Sequence, residues 1–288
     1  TIQAAAEAAA DGAVITVLED QVLNEKLNLH YPDKSLTIQG AEGKDITISG
    51  GADLADQTLL SGTLSGLTLK NLTFNNGVVK SLTTTGPMVV EGCTFADTVR
   101  NQGDKSGVLN VSGSGDSATL TVTGSTFRSL KLDEAATGAE FVGLYTNGTW
   151  ASITVQDSVF DEIAGTALSL RGSDSIAVTN NEISNWASGS HEDAGRAIRV
   201  DFGSRTGEQS LVMNGNKLTA GENAKESYAK IGEISGENAE NVTLNVEKNY
   251  WSGKDPVTGV VSEGNPVLEI VVKSGDEETV LTPDRMAE

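Results

Sequence analysis

Seven eight-residue segments of this chain place apolar residues at the same three positions, and that repetition narrows the architectures open to it more than any other feature. They are LTLKNLTF (67–74), MVVEGCTF (88–95), LTVTGSTF (120–127), ITVQDSVF (153–160), IAVTNNEI (176–183), LVMNGNKL (211–218) and LNVEKNYW (244–251). The first column runs Leu67, Met88, Leu120, Ile153, Ile176, Leu211, Leu244. The second runs Leu69, Val90, Val122, Val155, Val178, Met213, Val246, and the third Phe74, Phe95, Phe127, Phe160, Ile183, Leu218, Trp251. With 38% hydrophobic residues overall, twenty-one apolar positions would coincide by chance on the order of once in 10⁹, before the freedom of register is discounted.

Apolar residues two apart share one face of a strand. Beyond that strand stands a turn former, Asn71, Gly92, Gly124, Asp157, Asn180 or Gly215, with Lys248 the exception. A bend there lets the third apolar residue point back inward. Further strands follow in GVLNV (107–111), FVGLY (141–145), TALSL (166–170) and RAIRV (196–200). Third-column residues lie 21, 32, 33, 23, 35 and 33 positions apart, as expected where stacked core positions are fixed and loops vary. The strands are too short and too rich in Thr and Val for helical repeats, and a propeller blade needs four antiparallel strands. A stacked parallel coil remains.

Such a coil needs covered ends, because its terminal turns expose apolar cross-sections and unpaired strands. Residues 1–12, TIQAAAEAAADG, predict a capping helix with Thr1 as N-cap, an apolar stripe of Ile2, Ala5, Ala6 and Ala9, and Gly12 at its end. The repeat body is expected over 13–253. Residues 254–288 read as a C-terminal cap, PVLEIVV (266–272) and TVL (279–281) forming a hairpin followed by a tail.

Composition removes several partner classes. Forty Asp and Glu against twenty Lys and Arg give a net charge of -20, which repels nucleic acid and anionic membrane surfaces. No apolar run is long enough to span a bilayer, so membrane insertion is not expected. The lone Cys93 has no partner for an internal disulfide. The first residue is Thr1, which suggests a piece of a longer, multidomain precursor.

The run I-Q-A-A…D-G-x-x-I-x-V at the N-terminus, the pattern I-x-V-x-N-N at 176–181 and the ending NYWSGKDP (249–256) resemble the pectate-lyase-like β-helix superfamily. The last of these is most similar to the NosD-like parallel β-helix repeat proteins secreted by bacteria and archaea. The resemblance spans roughly residues 1–260. It implies an all-β fold, a single-stranded right-handed parallel β-helix (a solenoid) with an N-terminal capping helix, and an extracellular or cell-surface location. It implies much less about activity, because that superfamily holds lyases, hydrolases, esterases, adhesins and tailspikes.

Candidate sites compete with plainer readings. The position two before each third-column residue runs Leu72, Cys93, Ser125, Ser158, Asn181, Asn216, Asn249, which predicts a stacked polar ladder rather than a ligand site, with Cys93 inert within it. The sequons at Asn71, Asn110, Asn147 and Asn241 are chance products of Thr-rich strands. No organic cofactor is expected; Ca²⁺ is the one ion that the carboxylates would suit, with Glu192 and Asp193 as candidate ligands. Residues that relatives use for pectin hydrolysis and de-esterification are not matched: Asp201-Phe202-Gly203 stops short of the D-F-x-F-G pattern, and neither His30 nor His191 follows a Gly.

Aligning Leu109/Val111, Val142/Leu144, Leu168/Leu170 and Ile198/Val200 as inward pairs leaves two outward columns. One holds Asn110, Gly143, Ser169 and Arg199; the other holds Ser112, Tyr145, Arg171 and Asp201. Strand spacing of about 4.8 Å would make Tyr145, Arg171 and Asp201 vertical neighbours, with His191, Glu192 and Asp193 overhanging. A ligand face of Tyr145, Arg171, Arg199, Asp201 and His191 suits a glycan. An Arg–Asp ladder offsetting surface charge is the structural alternative. On the same register Phe202 lies outside the third apolar column, and its truncation is expected to cost less than that of Phe127 or Phe160.

The expectation is therefore a non-catalytic extracellular module, adhesin-like or glycan-binding, whose partner is a polysaccharide or a host or cell-surface glycan. The alternative is an enzyme acting on an acidic polysaccharide. A lyase would use Arg171 or Arg199 as base and Asp201, Glu192 or Asp193 around Ca²⁺, whereas a hydrolase would need a carboxyl pair such as Asp201 and Glu233.

Overall fold

The computed structural model describes residues 1–101, 105–134, 136, 140–186, 196–202, 208–221, 224, 229–235, 242–247, 249–252, 261–264, 268–274 and 277–281. At 229–235, 247, 250–252 and beyond it describes the backbone alone. The chain is mostly β and its strands pair in parallel, forming a sixteen-stranded and a ten-stranded sheet among the described residues. There, only the pairings that involve the two strands Val261–Gly264 and Glu277–Leu281 are antiparallel.

The three apolar columns fall into register. Leu36, Leu67, Met88, Leu120, Ile153, Ile176, Leu211 and Leu244 are successive partners in the larger sheet. Two residues on, so are Ile38, Leu69, Val90, Val122, Val155, Val178, Met213 and Val246. The third column pairs from Ile48 through Phe74, Phe95, Phe127, Phe160, Ile183 and Leu218 to Trp251 in the smaller sheet. Nearly all of the described side chains among them are buried in one apolar core. The four phenylalanines stack with centroids 5.1, 4.9 and 4.5 Å apart and planes within 12° of parallel, which is strand spacing written in rings.

The bend between the two sheets is a column of left-handed residues: Asn71, Gly92, Gly124, Asp157, Asn180 and Gly215 have φ between 51° and 70°. Only Gly, Asn and Asp enter that region at little cost, which explains the turn formers. A second left-handed column runs along the smaller sheet: Asp97, Ser129 and Glu162 bend their strands from within, and Asn76 and Asn185 directly follow theirs. It escapes sequence reading because Ser129 and Glu162 are not turn residues by type; Ser129 instead donates to Glu162 Oε2 at 2.9 Å in the next repeat.

The polar ladder fills the core beside the first bend. Backbone amides of Cys93, Ser125, Ser158, Asn181 and Asn216 each donate to the side-chain oxygen of the next ladder residue, at 3.0–3.2 Å. Asn181 and Asn216 also donate through Nδ2 to the next Oδ1 and to a strand carbonyl. The buried amides of the ladder thus find partners, as a core must provide. Burial pushes the Cys93 thiol up to about 12, against the weaker opposing pull of the backbone groups around it. At pH 8 roughly one molecule in 10⁴ would carry the thiolate, so thiol reagents should label Cys93 only in denaturant. Fast labelling of the native protein would contradict the burial.

The N-terminal helix spans Ile2–Ala8, shorter than the 1–12 expected, because the chain turns extended at Ala9. Thr1 Oγ1 caps it by accepting from Ala4 N at 3.3 Å. Gln3 ties it to the strand Leu27–Gly40, exchanging bonds with both backbone groups of Asn28, and Lys34 donates to the Glu7 carbonyl near its C-terminal end. The C-terminal hairpin pairs Leu268–Ser274 with Glu277–Leu281.

One expectation needs correction. Phe202 lies outside the third column and would on that ground matter less, yet it is 1% exposed and belongs to the core.

Candidate functional site

The third strand of each repeat joins the larger sheet and presents alternate side chains outward. Pairing of Leu27–Gly40, Thr58–Lys70, Val78–Thr84, Lys105–Ser114, Glu140–Gln156, Leu168–Arg171 and Ile198–Asp201 puts these in two columns. One comprises Asn28, Ser61, Lys80 with Ser81, Asn110, Tyr145, Ser169 and Arg199. The other runs through His30, Thr63, Thr83, Ser112 and Asn147, and on the later strands Arg171 pairs with Asp201. Hydroxyls, amides and cations dominate a strip that crosses seven repeats, within which Ser61, Ser169 and Asp201 are buried.

Arg171 and Asp201 are in register, as expected, and Arg171 Nε sits 3.2 Å from Asp201 Oδ2. Arg199 stands beside Ser169, also as expected. Tyr145 does not stand beside Arg171. Leu144, rather than the pair Val142/Leu144, is what matches Leu109 and Leu168, so Tyr145 falls between Asn110 and Ser169. The true register differs from the expected one by two residues. A two-residue slip keeps every side chain on its face, so alternation alone cannot detect it. The inward place that Val142/Leu144 would have completed is taken by Thr146, whose Oγ1 accepts from Arg171 N at 2.7 Å and donates to Arg171 O at 3.2 Å. A buried threonine replaces a strand pairing there, and its polarity hides it from an apolar search.

Asp201 is not an open surface carboxylate either. Its side chain is 6% exposed against 49% for Arg171. The pair therefore joins a desolvated acid to a half-solvated base, and truncating Arg171 would take a counter-charge from a buried carboxylate. His191, Glu192 and Asp193 lie outside the described residues. Glu233 falls on the strand Ala229–Ser235, of which the backbone alone is described. Among the described residues no three His, Cys, Asp or Glu gather as a metal site.

Sequence reading missed a second charge pair, at the start of two of the strands that carry the strip. Lys105 and Glu140 are strand partners, with Nζ 2.6 Å from Oε2 and the Glu140 side chain fully buried. Glu140 Oε1 accepts from Thr166 N at 3.1 Å, and Lys105 lies 5.9 Å from the Tyr145 ring centroid. This fixes a cation beside the aromatic face. The signal was available as a Lys and a Glu at matching positions of consecutive repeats, but neither strand start is marked by the apolar pattern.

At the N-terminal end of the strip two adjoining grooves open. One, of about 360 Å³, is lined by Lys26, Asn28, His30, Asp56, Ser61, Thr63 and Lys80 among others. The other, of about 680 Å³, adds Asn24, Glu25 and Asp53. A two-residue bulge, Lys80-Ser81, faces the single residues Ser61 and Asn110 on its two sides, with Ser81 at φ 57°. Bulges re-aim side chains, and this one widens the strip where the grooves begin.

No protein-family model matches the chain, and no curated protein matches it.

Proposed function

We propose that this chain is a right-handed, single-stranded parallel β-helix of the pectate-lyase-like kind. On this reading it serves in a secreted or surface-displayed bacterial protein as a non-catalytic, adhesin-like module that binds glycans. The β-helix reading is supported by the return of each repeat to both sheets one place further along. Parallel crossovers are right-handed in about 98% of cases.

One observation carries the function: the paired outward columns of hydroxyl, amide and cationic side chains on a single strip. Their spacing of about 4.8 Å repeats along the sheet. A polysaccharide is likewise a long, repeating, hydroxyl-rich ligand, so a periodic polar face meets a periodic polar chain. Tyr145 supplies a ring for a sugar to stack on, and Arg199 supplies a donor fork one strand beyond Ser169.

A glycan array followed by calorimetry tests this. Tyr145→Ala and Arg199→Ala should each weaken binding of the best glycan by about 1 to 3 kcal/mol. Binding indifferent to both, or absent across the array, would overturn the proposal. Release of unsaturated uronate products from the same glycans would instead favour a polysaccharide lyase with Arg171 or Arg199 as base.

A further inference from the structure

The grooves at the N-terminal end of the strip differ in character from the rest of it, and we infer that they form a subsite for a saccharide bearing a tetrahedral oxyanion, a sulfate or phosphate ester. This rests on the glycan reading above.

In a chain of net charge -20, an anionic ligand needs local positive charge to approach. The smaller groove provides it. Its charge comes from two lysines in distant parts of the chain, Lys26 and Lys80. His30 adds an imidazole four residues after Lys26, and the three line one cavity of about 360 Å³, within the usual range for small-ligand sites, roughly 300–1,000 Å³. Lys80 is delivered by the bulge opposite Ser61, so the irregularity in the sheet and the cation coincide. Hydroxyls of Ser61 and Thr63 add donors to the groove.

Donor type selects the anion. The planar fork of an arginine serves carboxylate and phosphate alike, but among the described residues no arginine lines either groove. Selection therefore falls to lysines and hydroxyls, to which the three terminal oxygens of an ester offer more acceptors than the two of a carboxylate. Lysine ammonium groups are compact point charges whose donors radiate, which suits an oxyanion approached from several sides. The one carboxylate of the smaller groove, Asp56, lines both cavities. Beyond it the larger groove adds Glu25 and Asp53, acceptors that suit the neutral hydroxyls of a sugar. Lys26 lines both grooves as well, so positive charge prevails only in the smaller one, where Lys26 and Lys80 face Asp56, while the larger sets Lys26 against Glu25, Asp53 and Asp56. The ester belongs in the first and the ring that carries it in the second.

The test compares galactose, galacturonate, galactose 6-sulfate and galactose 6-phosphate by NMR titration of the full chain at low salt. Both esters should bind at least tenfold more tightly than galactose and more tightly than galacturonate. Lys26→Gln and Lys80→Gln should each remove roughly tenfold of that advantage, the usual effect of losing a hydrogen bond to a charged group. Lys217→Gln, which removes a cation from the smaller sheet, should leave it intact, and thermal melting of each variant shows whether it is folded. Esters no tighter than galactose, with array glycans still bound at Tyr145, would overturn the subsite alone. So would galacturonate binding as tightly as the esters, or an ester advantage that survives both lysine substitutions. If no glycan binds at all, both readings fall together.

Discussion

Phe127→Ala should lower stability by about 3 to 5 kcal/mol, close to the upper end for a single core truncation. The ring is fully buried, with Phe95 stacked 4.9 Å on one side and Phe160 4.5 Å on the other. Those neighbours are anchored to strands hydrogen-bonded at fixed spacing, so they cannot close on the cavity as side chains on mobile elements would. Phe127→Leu should cost less, because Ile183 and Leu218 hold the same column in later repeats. Phe202→Ala should also be costly, since that ring is 1% exposed. Urea unfolding with an unchanged slope is the measurement; a Phe127→Ala loss below about 1 kcal/mol would mean that the ring does not sit in a packed column.

Asn216→Leu should be as damaging by a different route. The Asn216 side chain accepts from both the backbone and side-chain nitrogens of Asn181, and donates to Asn249 Oδ1 and the Val178 carbonyl. A leucine removes all four of these buried bonds, at about 1 to 3 kcal/mol for each group left unsatisfied, before relaxation. The chain tolerates leucine at Leu72, at the opposite end of the same column, where no earlier ladder residue draws on an acceptor. Asn216→Ser should recover part of the loss, because Ser125 and Ser158 accept the preceding amide through Oγ. Equal stability of the Leu and Ser variants in urea would show that the ladder contributes shape and not hydrogen bonding.

The columns explain why so much of the fold is legible in the sequence. Leu67, Leu69 and Phe74 recur at fixed intervals because each must meet its counterpart in the neighbouring repeat, and the bend residues recur because only a few types adopt positive φ. The ladder is legible for the same reason. At the site the same logic puts Arg171 beside Asp201, whose flanking Leu170 and Val200 fix the register unambiguously. It fails one repeat earlier, where Phe141, Val142 and Leu144 are all buried and offer two equivalent alignments.

What the sequence determined by itself, then, is whatever depends on identity repeated from one turn to the next: the parallel stacking, the apolar columns, the left-handed bends, the buried ladder. Only the tertiary structure decided the placement of Tyr145, the burial of Asp201, the pairing of Lys105 with Glu140 and the meeting of Lys26, His30 and Lys80 in one groove. Core positions announce themselves because every repeat must satisfy the same packing. The outward face carries no such constraint: a slip of two residues, or a bulge of one, leaves the core satisfied while changing which polar groups stand together.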